Sequence, residues 1–158
     1  MQVSHPLFGE LEYDDYEGYK TKTVVMFSGK ETEVELIISE TLGTGGIEKE
    51  HCQAYEALIA NWDKIVLDVL QSIIEYQNDE WDSTDYTQSF PKFKTVDDVL
   101  ENVELTRITL EARPPEYRKQ EGRYIILLFN AEWVNDDYRL LSVVLINENV
   151  VEVSDQDI

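Results

Sequence analysis

The chain has 158 residues, of which 13 are Lys or Arg and 33 are Asp or Glu, giving a formal net charge of −20 at pH 7. A chain of this length folds as one domain and buries a core large enough to need no disulfide or metal. Because an acidic surface repels phosphate groups, direct binding to nucleic acid or to an anionic membrane is disfavoured.

The acidic residues are spread along the whole chain. Residues 1–79 hold 16 acids and 5 bases, and residues 80–158 hold 17 acids and 8 bases. This distribution excludes an acidic tail and leaves two interpretations. The charge either only keeps the protein in solution or attracts a basic protein partner. The sequence is silent on the oligomeric state.

The cysteine count and the apolar runs indicate a cytoplasmic protein. Cys52 is the only cysteine, which excludes an internal disulfide and is typical of a reducing compartment. The N-terminus has neither a basic segment nor an apolar one, so we expect no signal peptide. The longest apolar run, Tyr124–Phe129, is far shorter than the roughly 20 residues that span a bilayer.

The first elements in chain order are strands. Leu7–Tyr13 has the composition of a short strand, and Thr21–Phe27 and Glu31–Ser39 flank the dipeptide Ser28-Gly29, which suits a tight turn. Apolar and charged residues alternate in the second arm, as expected for a strand with one buried face. These segments predict a β-hairpin with one further strand.

A helix follows the glycine-containing connection Thr41–Gly46. Apolar residues recur at spacings of three and four in the stripe Ala54, Leu58, Trp62, Ile65, Val69, Ile73 and Tyr76. This stripe predicts one amphipathic helix over Glu48–Gln77. The alternative is a break at Asn61–Asp63 with Asp63 as an N-cap, but we favour one helix because the stripe keeps its phase.

The rest of the chain contains a polar loop, a short helix and strands. Residues 78–94 form a loop with four aromatic side chains, and Thr95–Glu101 is a short helix capped by Thr95. Four strands are predicted afterwards, with a turn at residues 135–137: Val103–Ala112, Arg123–Asn130, Leu140–Ile146 and Val150–Val153. We therefore predict a single α+β domain over residues 1–158. It has a mostly antiparallel sheet, one long amphipathic helix packed on one face and a short second helix.

Two stretches resemble a signature of small bacterial cytoplasmic domains of unknown function. The first is a helix opened by a Gln and an Ala–aromatic pair and closed by Tyr, here Gln53, Ala54, Tyr55 and Tyr76. The second is a Trp, an acidic turn and a last strand, which match Glu132, Trp133, Asp136, Asp137, Leu140, Val143, Val144 and the ending VVEVSDQDI.

The resemblance implies an interaction role and no known activity, because some members are encoded near toxin–immunity genes. This chain departs from the family pattern after Trp133, where it reads NDDYRLLS and lacks the family's His and Gly. If that His does chemistry in the family, the chemistry is absent here.

The residues present disfavour several chemical motifs. The glycines of residues 43–46 are not followed by the Lys-Ser/Thr of a phosphate-binding loop. His51 and Cys52 diverge by about 100° on a helix, which disfavours a shared metal or a nucleophile pair. The acidic run from Asp79 has Phe90 where a calcium loop needs Glu. We expect no catalytic residue, no metal and no cofactor.

The sequence favours a non-catalytic acidic interaction domain that binds a basic protein, with an immunity protein or an inhibitor as its specific forms. A DNA mimic, which blocks a nucleic-acid-binding partner, is a variant of this interpretation. The predicted partner-binding residues are Asp79, Glu80, Trp81, Asp82, Asp85, Tyr86, Trp133, Asp136 and Asp137. One alternative is a hydrolase using carboxylates at Trp133–Asp137, where an indole raises a carboxyl pKa. Another is a small-ligand or metal-binding module.

Overall fold

A computed structural model describes residues 1–40, 46–83, 91–134 and 139–157. Its described part contains one eight-stranded sheet whose strands lie side by side in chain order. The strands are β1 (Gln2–His5), β2 (Gly9–Asp14), β3 (Gly18–Phe27), β4 (Lys30–Ile38), β5 (Val103–Glu111), β6 (Tyr124–Ala131), β7 (Arg139–Ile146) and β8 (Asn149–Asp157). Neighbouring strands are antiparallel except β4 and β5, which are parallel. The predicted α+β class with a mostly antiparallel sheet is confirmed.

The helices lie in the connection between the two parallel strands. Parallel neighbours require a long crossover. Here it contains α1 (Lys49–Ala60), α2 (Trp62–Ser83) and the short α3 (Val96–Leu100). The predicted second helix is confirmed as α3, because the hydroxyl of Thr95 accepts from the backbone N–H of Asp98 and caps it.

Two hairpins have two-residue turns with left-handed backbone. Ser28 and Gly29 have φ values of 52° and 84°, and Asn147 and Glu148 have values of 49° and 64°. Two consecutive residues with positive φ are typical of a type I′ turn, whose twist matches that of the flanking strands. The predicted hairpin around Ser28-Gly29 is therefore confirmed.

The core combines one side of each helix with alternate residues of the strands. On α1 and α2 the buried stripe includes Ala54, Leu58, Ile65, Val69 and Ile73. It belongs to the same cluster as Leu36, Ile38, Leu105, Ile108, Leu110, Ile125, Leu127, Phe129, Leu141, Val143 and Leu145. Tyr124, Val144 and Ile146 form a second, smaller cluster.

The prediction of one helix over Glu48–Gln77 is wrong. The chain leaves the helical conformation at Asn61, where φ is −115° and ψ is 15°, and the Asn61 side chain donates to Ala57 O at 2.8 Å. An asparagine side chain that bonds the preceding turn competes with helix propagation. Because only one residue intervenes, the apolar stripe keeps its phase across the break.

Two further boundaries differ from the expectations. The strand expected over Leu7–Tyr13 is β2, which begins two residues later and ends one residue later, and β1 precedes it as a strand that the sequence did not predict. The expected loop over residues 78–94 begins later, because α2 continues to Ser83. Most of the glycine-containing connection, residues 41–45, and the expected turn at residues 135–137 lie outside the described residues.

Among the helices described here, none has the length and the apolar composition that crossing a bilayer requires.

Candidate interaction surface

The C-terminal turns of α2 carry four of the predicted partner-binding residues. Asp79, Trp81 and Asp82 are exposed, and Glu80 is half-buried. Trp81 is 38% exposed, a large fraction for a Trp. We call this segment, Asp79–Asp82, the acidic end of α2.

The charge of the acidic end opposes the helix dipole. The carboxyl end of a helix carries partial negative charge, so Lys, Arg or His stabilises it and Asp or Glu destabilises it. The last turn of α2 has no basic residue. A positive charge is supplied by Lys92, whose Nζ lies 2.9 and 3.0 Å from the two carboxylate oxygens of Asp82. The same ammonium stands 5.7 Å from the centre of the Trp81 ring.

Tyr76 links α2 to the last strand. Its hydroxyl donates to Glu80 Oε1 at 2.7 Å and lies 3.4 Å from Asp155 Oδ1 of β8. Burial raises the pKa of Tyr76, and the bond to Glu80 raises that pKa further. The phenol therefore stays protonated and holds two carboxylates near one another.

A buried glutamine brings Trp133 to the same region. Gln77 is 2% exposed; its Nε2 donates to Pro91 O at 3.0 Å, and its Oε1 accepts from the Phe93 N–H at 2.9 Å. Phe93 packs edge-to-face on Trp133, with ring centres 5.1 Å apart. Trp133 is thus connected through Phe93 to Gln77 of α2, two residues before the acidic end.

Trp133 is a packing residue as well as a candidate contact. It lies against the main core, and its indole Nε1 is buried without a hydrogen-bond partner in the described part of the chain. Of the other predicted residues, Asp85, Tyr86, Asp136 and Asp137 lie outside the described residues.

The residues that organise this surface were missed in the sequence. Lys92, Gln77 and Asp155 were not among the predicted site residues. Gln77 could have been identified from the sequence, because it follows Ile73 by four positions on the buried stripe. A polar side chain buried there needs a hydrogen-bond partner. The contact between Tyr76 and Asp155 joins residues 79 positions apart and had no local signal.

The neighbours His51 and Cys52 point to different partners. His51 is fully buried; its Nδ1 accepts from the Glu48 N–H at 2.9 Å, and its Nε2 donates to Ser39 O at 2.8 Å. Cys52 Sγ instead lies 3.9 Å from His5 Nε2. Burial raises the pKa of the Cys52 thiol, which disfavours the reactive thiolate. Within the described ranges, no group of three or more His, Cys, Asp or Glu is arranged to hold a metal ion.

The family is decided by one comparison. Residues 7–158 match the family model described as "Domain of unknown function (DUF6985)". The chain belongs to this family. No curated protein and no solved structure matches it. The resemblance to a domain of unknown function, carried in the sequence by two short stretches, is confirmed, and for this DUF6985 chain it extends over nearly all residues.

Proposed function

We propose that the protein is a non-catalytic, acidic interaction domain that binds a basic protein partner at the acidic end of α2. The observation that carries the proposal is the exposed Trp81 within a run of carboxylates. Aromatic side chains supply much of the binding energy at protein interfaces, and surrounding charges steer the partner and select it.

The unfavourable placement of the acids supports this proposal. Asp79, Glu80 and Asp82 lie where the helix dipole disfavours negative charge, and the last turn of α2 has no basic residue of its own. Local choices that reduce stability without an evident structural gain are expected at functional sites. A basic side chain of a partner placed here would interact favourably with both the carboxylates and the carboxyl end of α2.

The partner class follows from the net charge of −20. Complementary charge accelerates association and rejects partners of the same sign. We propose a bacterial, cytoplasmic protein that inhibits a basic partner, with an immunity protein that neutralises a toxin as the specific form. The choice of an immunity protein comes from the resemblance to small bacterial domains, some of which are encoded near toxin–immunity genes.

The experiment compares two pairs of neutralising substitutions with equal net charge. The partner is the basic protein that the immobilised chain captures from a lysate of the source organism. In the first variant, Asp79→Asn and Asp82→Asn neutralise the acidic end. In the control, Glu116→Gln and Glu121→Gln neutralise two exposed acids elsewhere. We expect the first pair to weaken binding about tenfold or more by calorimetry, and the control pair by about threefold or less.

A third variant tests the aromatic contact. Trp81→Ala is expected to weaken binding by about 2 kcal/mol with little change in Tm. Equal losses for the two charge pairs would mean that only the total charge matters. A large fall in Tm for Trp81→Ala would assign this indole to the core.

A further inference from the structure

One half of β3 has an unpaired edge. β4 pairs with β3 from Tyr19 to Phe27, whereas β2 pairs only with Gly18, Tyr19 and Lys20. Beyond that point β2 continues beside β1 alone. In the described part of the chain, Thr21–Phe27 therefore has a strand partner on one side only.

The register identifies which backbone groups lie on this edge. In an antiparallel ladder, hydrogen-bonded pairs alternate with non-hydrogen-bonded pairs. Phe27 and Lys30 flank the two-residue turn, so they form a hydrogen-bonded pair. The N–H and C=O groups of Met26, Val24 and Lys22 therefore point away from β4.

One of these groups already has a partner from outside the sheet. The indole Nε1 of Trp62 donates to Met26 O at 2.7 Å, as a backbone N–H of an added strand would. No main-chain hydrogen bond outside the ladder reaches Lys22 or Val24 from the residues described here. Two consecutive outward-facing residues are thus available for pairing.

An apolar groove runs beside this edge. Its volume is about 480 Å³, and it lies between β3 and the junction of α1 with α2. Val24, Met26 and Ile59 line it and are 58%, 49% and 49% exposed. Clustered exposed apolar side chains of this kind are typical of interaction sites.

The two outer edges of the described sheet are better protected than this one. Proteins prevent unwanted pairing with very short edge strands or with charged residues. β1 has four residues, and β8 carries Glu152 and Asp155. In Thr21–Phe27 the only charged residue is Lys22.

We propose that the free edge of β3 binds an extended segment of a basic partner protein as an added strand, with alternate apolar side chains in the groove. That the added segment is basic rests on the proposed function, in which the partner is a basic protein. Lys22 pairs with Glu33 and Lys64 pairs with Asp68. The carboxylates of Glu31 and Asp63 have no ion-pair partner in the ranges described. A second copy of the chain fits poorly, because it would bring together two molecules of charge −20.

This surface is separate from the acidic end of α2. Trp62 is the first residue of α2, and the acidic end is close to the last, in a helix of 22 residues. At 1.5 Å per residue the two ends are roughly 30 Å apart. The two surfaces can therefore be tested independently.

The probe is a peptide of alternating lysine and valine, about ten residues long. Its control has the same sequence and charge, with every second backbone nitrogen methylated so that it cannot pair as a strand. When the first peptide binds the full chain, we expect the amides of Lys22 and Val24 to exchange hydrogen at least about tenfold more slowly. The methylated peptide is expected to bind at least about tenfold more weakly.

Two variants locate the interaction on the protein. Val24→Pro removes an outward backbone N–H without removing a hydrogen bond to β4. Val24→Thr keeps that backbone N–H and has a side chain of similar shape. Binding is expected to weaken about tenfold for the first and less than threefold for the second. Binding without protection of Lys22 and Val24, or equal binding of the methylated peptide, would overturn the edge proposal and leave the acidic interaction intact. Failure of both peptides to bind at low salt would contradict the edge and the basic partner together.

Discussion

His51 joins the first turn of α1 to the end of β4. It accepts from the N–H of Glu48 and donates to the carbonyl of Ser39, so both ring nitrogens are used by the neutral imidazole. Burial lowers the pKa of His51 and outweighs the hydrogen bond to Ser39 and the charges of Glu48 and Glu50, which raise that pKa; Arg113 lowers it slightly. A histidine at this position therefore makes the stability of the helix start depend on pH.

We predict that His51 destabilises the fold in mild acid. Below a pH of about 6.5 the unfolded chain protonates this imidazole while the folded chain does not, so the stability present above that pH is lost as pH falls. The loss is about 1.4 kcal/mol for each pH unit over which only the unfolded state is protonated. His51→Gln retains an acceptor for the Glu48 N–H and removes the titration. Urea unfolding at pH 7 and pH 5 should show a larger loss for the natural chain, and parallel losses would contradict this role.

At the scale of elements, turns could be predicted from the sequence better than helix ends. The turn at Ser28-Gly29 was evident because its conformational requirement is local: two residues with positive φ between alternating strands. The break at Asn61 was not, because a one-residue interruption leaves the apolar periodicity intact. β1 was missed because Gln2–His5 is short and mostly polar, and its pairing with β2 supplies its structure.

The turn at Ser28-Gly29 can be tested through its contribution to the free energy of unfolding. At Gly29 φ is 84° and an added Cβ would meet no atom within 4 Å, so Gly29→Ala introduces backbone strain alone. We predict a loss of about 1–2 kcal/mol in the free energy of unfolding. Gly46→Ala is the matched control, because Gly46 also has open space but no positive φ. It should be neutral or stabilising by less than about 1 kcal/mol. Equal effects in chemical denaturation would exclude the assigned turn.

The candidate site could be predicted only in part, for a physical reason. The acids at the end of α2 and Trp81 could be proposed as contact residues because an aromatic among acids is visible in the sequence, whereas the exposure of Trp81 follows from the structure. Their arrangement could not be predicted, because it depends on contacts between distant segments: Gln77 with Phe93, Lys92 with Asp82, and Tyr76 with Asp155. Such contacts follow from the packing of α2 against β8 and against the segment before α3, which local patterns do not encode.

At the scale of the whole molecule, charge is the feature that most constrains function. A net charge of −20 on 158 residues opposes self-association and favours encounters with cationic surfaces. The 33 acidic residues outnumber the 13 basic ones, so ion pairs within the chain leave a net negative field that acts over longer distances. If binding depends on this field, it must weaken as salt screens the field.

The most direct test is capture of a partner by the immobilised full chain from a lysate of the source organism. Captured proteins are identified by mass spectrometry at about 0.1 M and about 1 M salt, between which the screening length falls from about 10 Å to about 3 Å. We predict one basic protein that is retained at the lower salt concentration and lost at the higher. Retention of the same proteins at both concentrations, or of none at the lower, would contradict the claim that an acidic surface selects a basic partner.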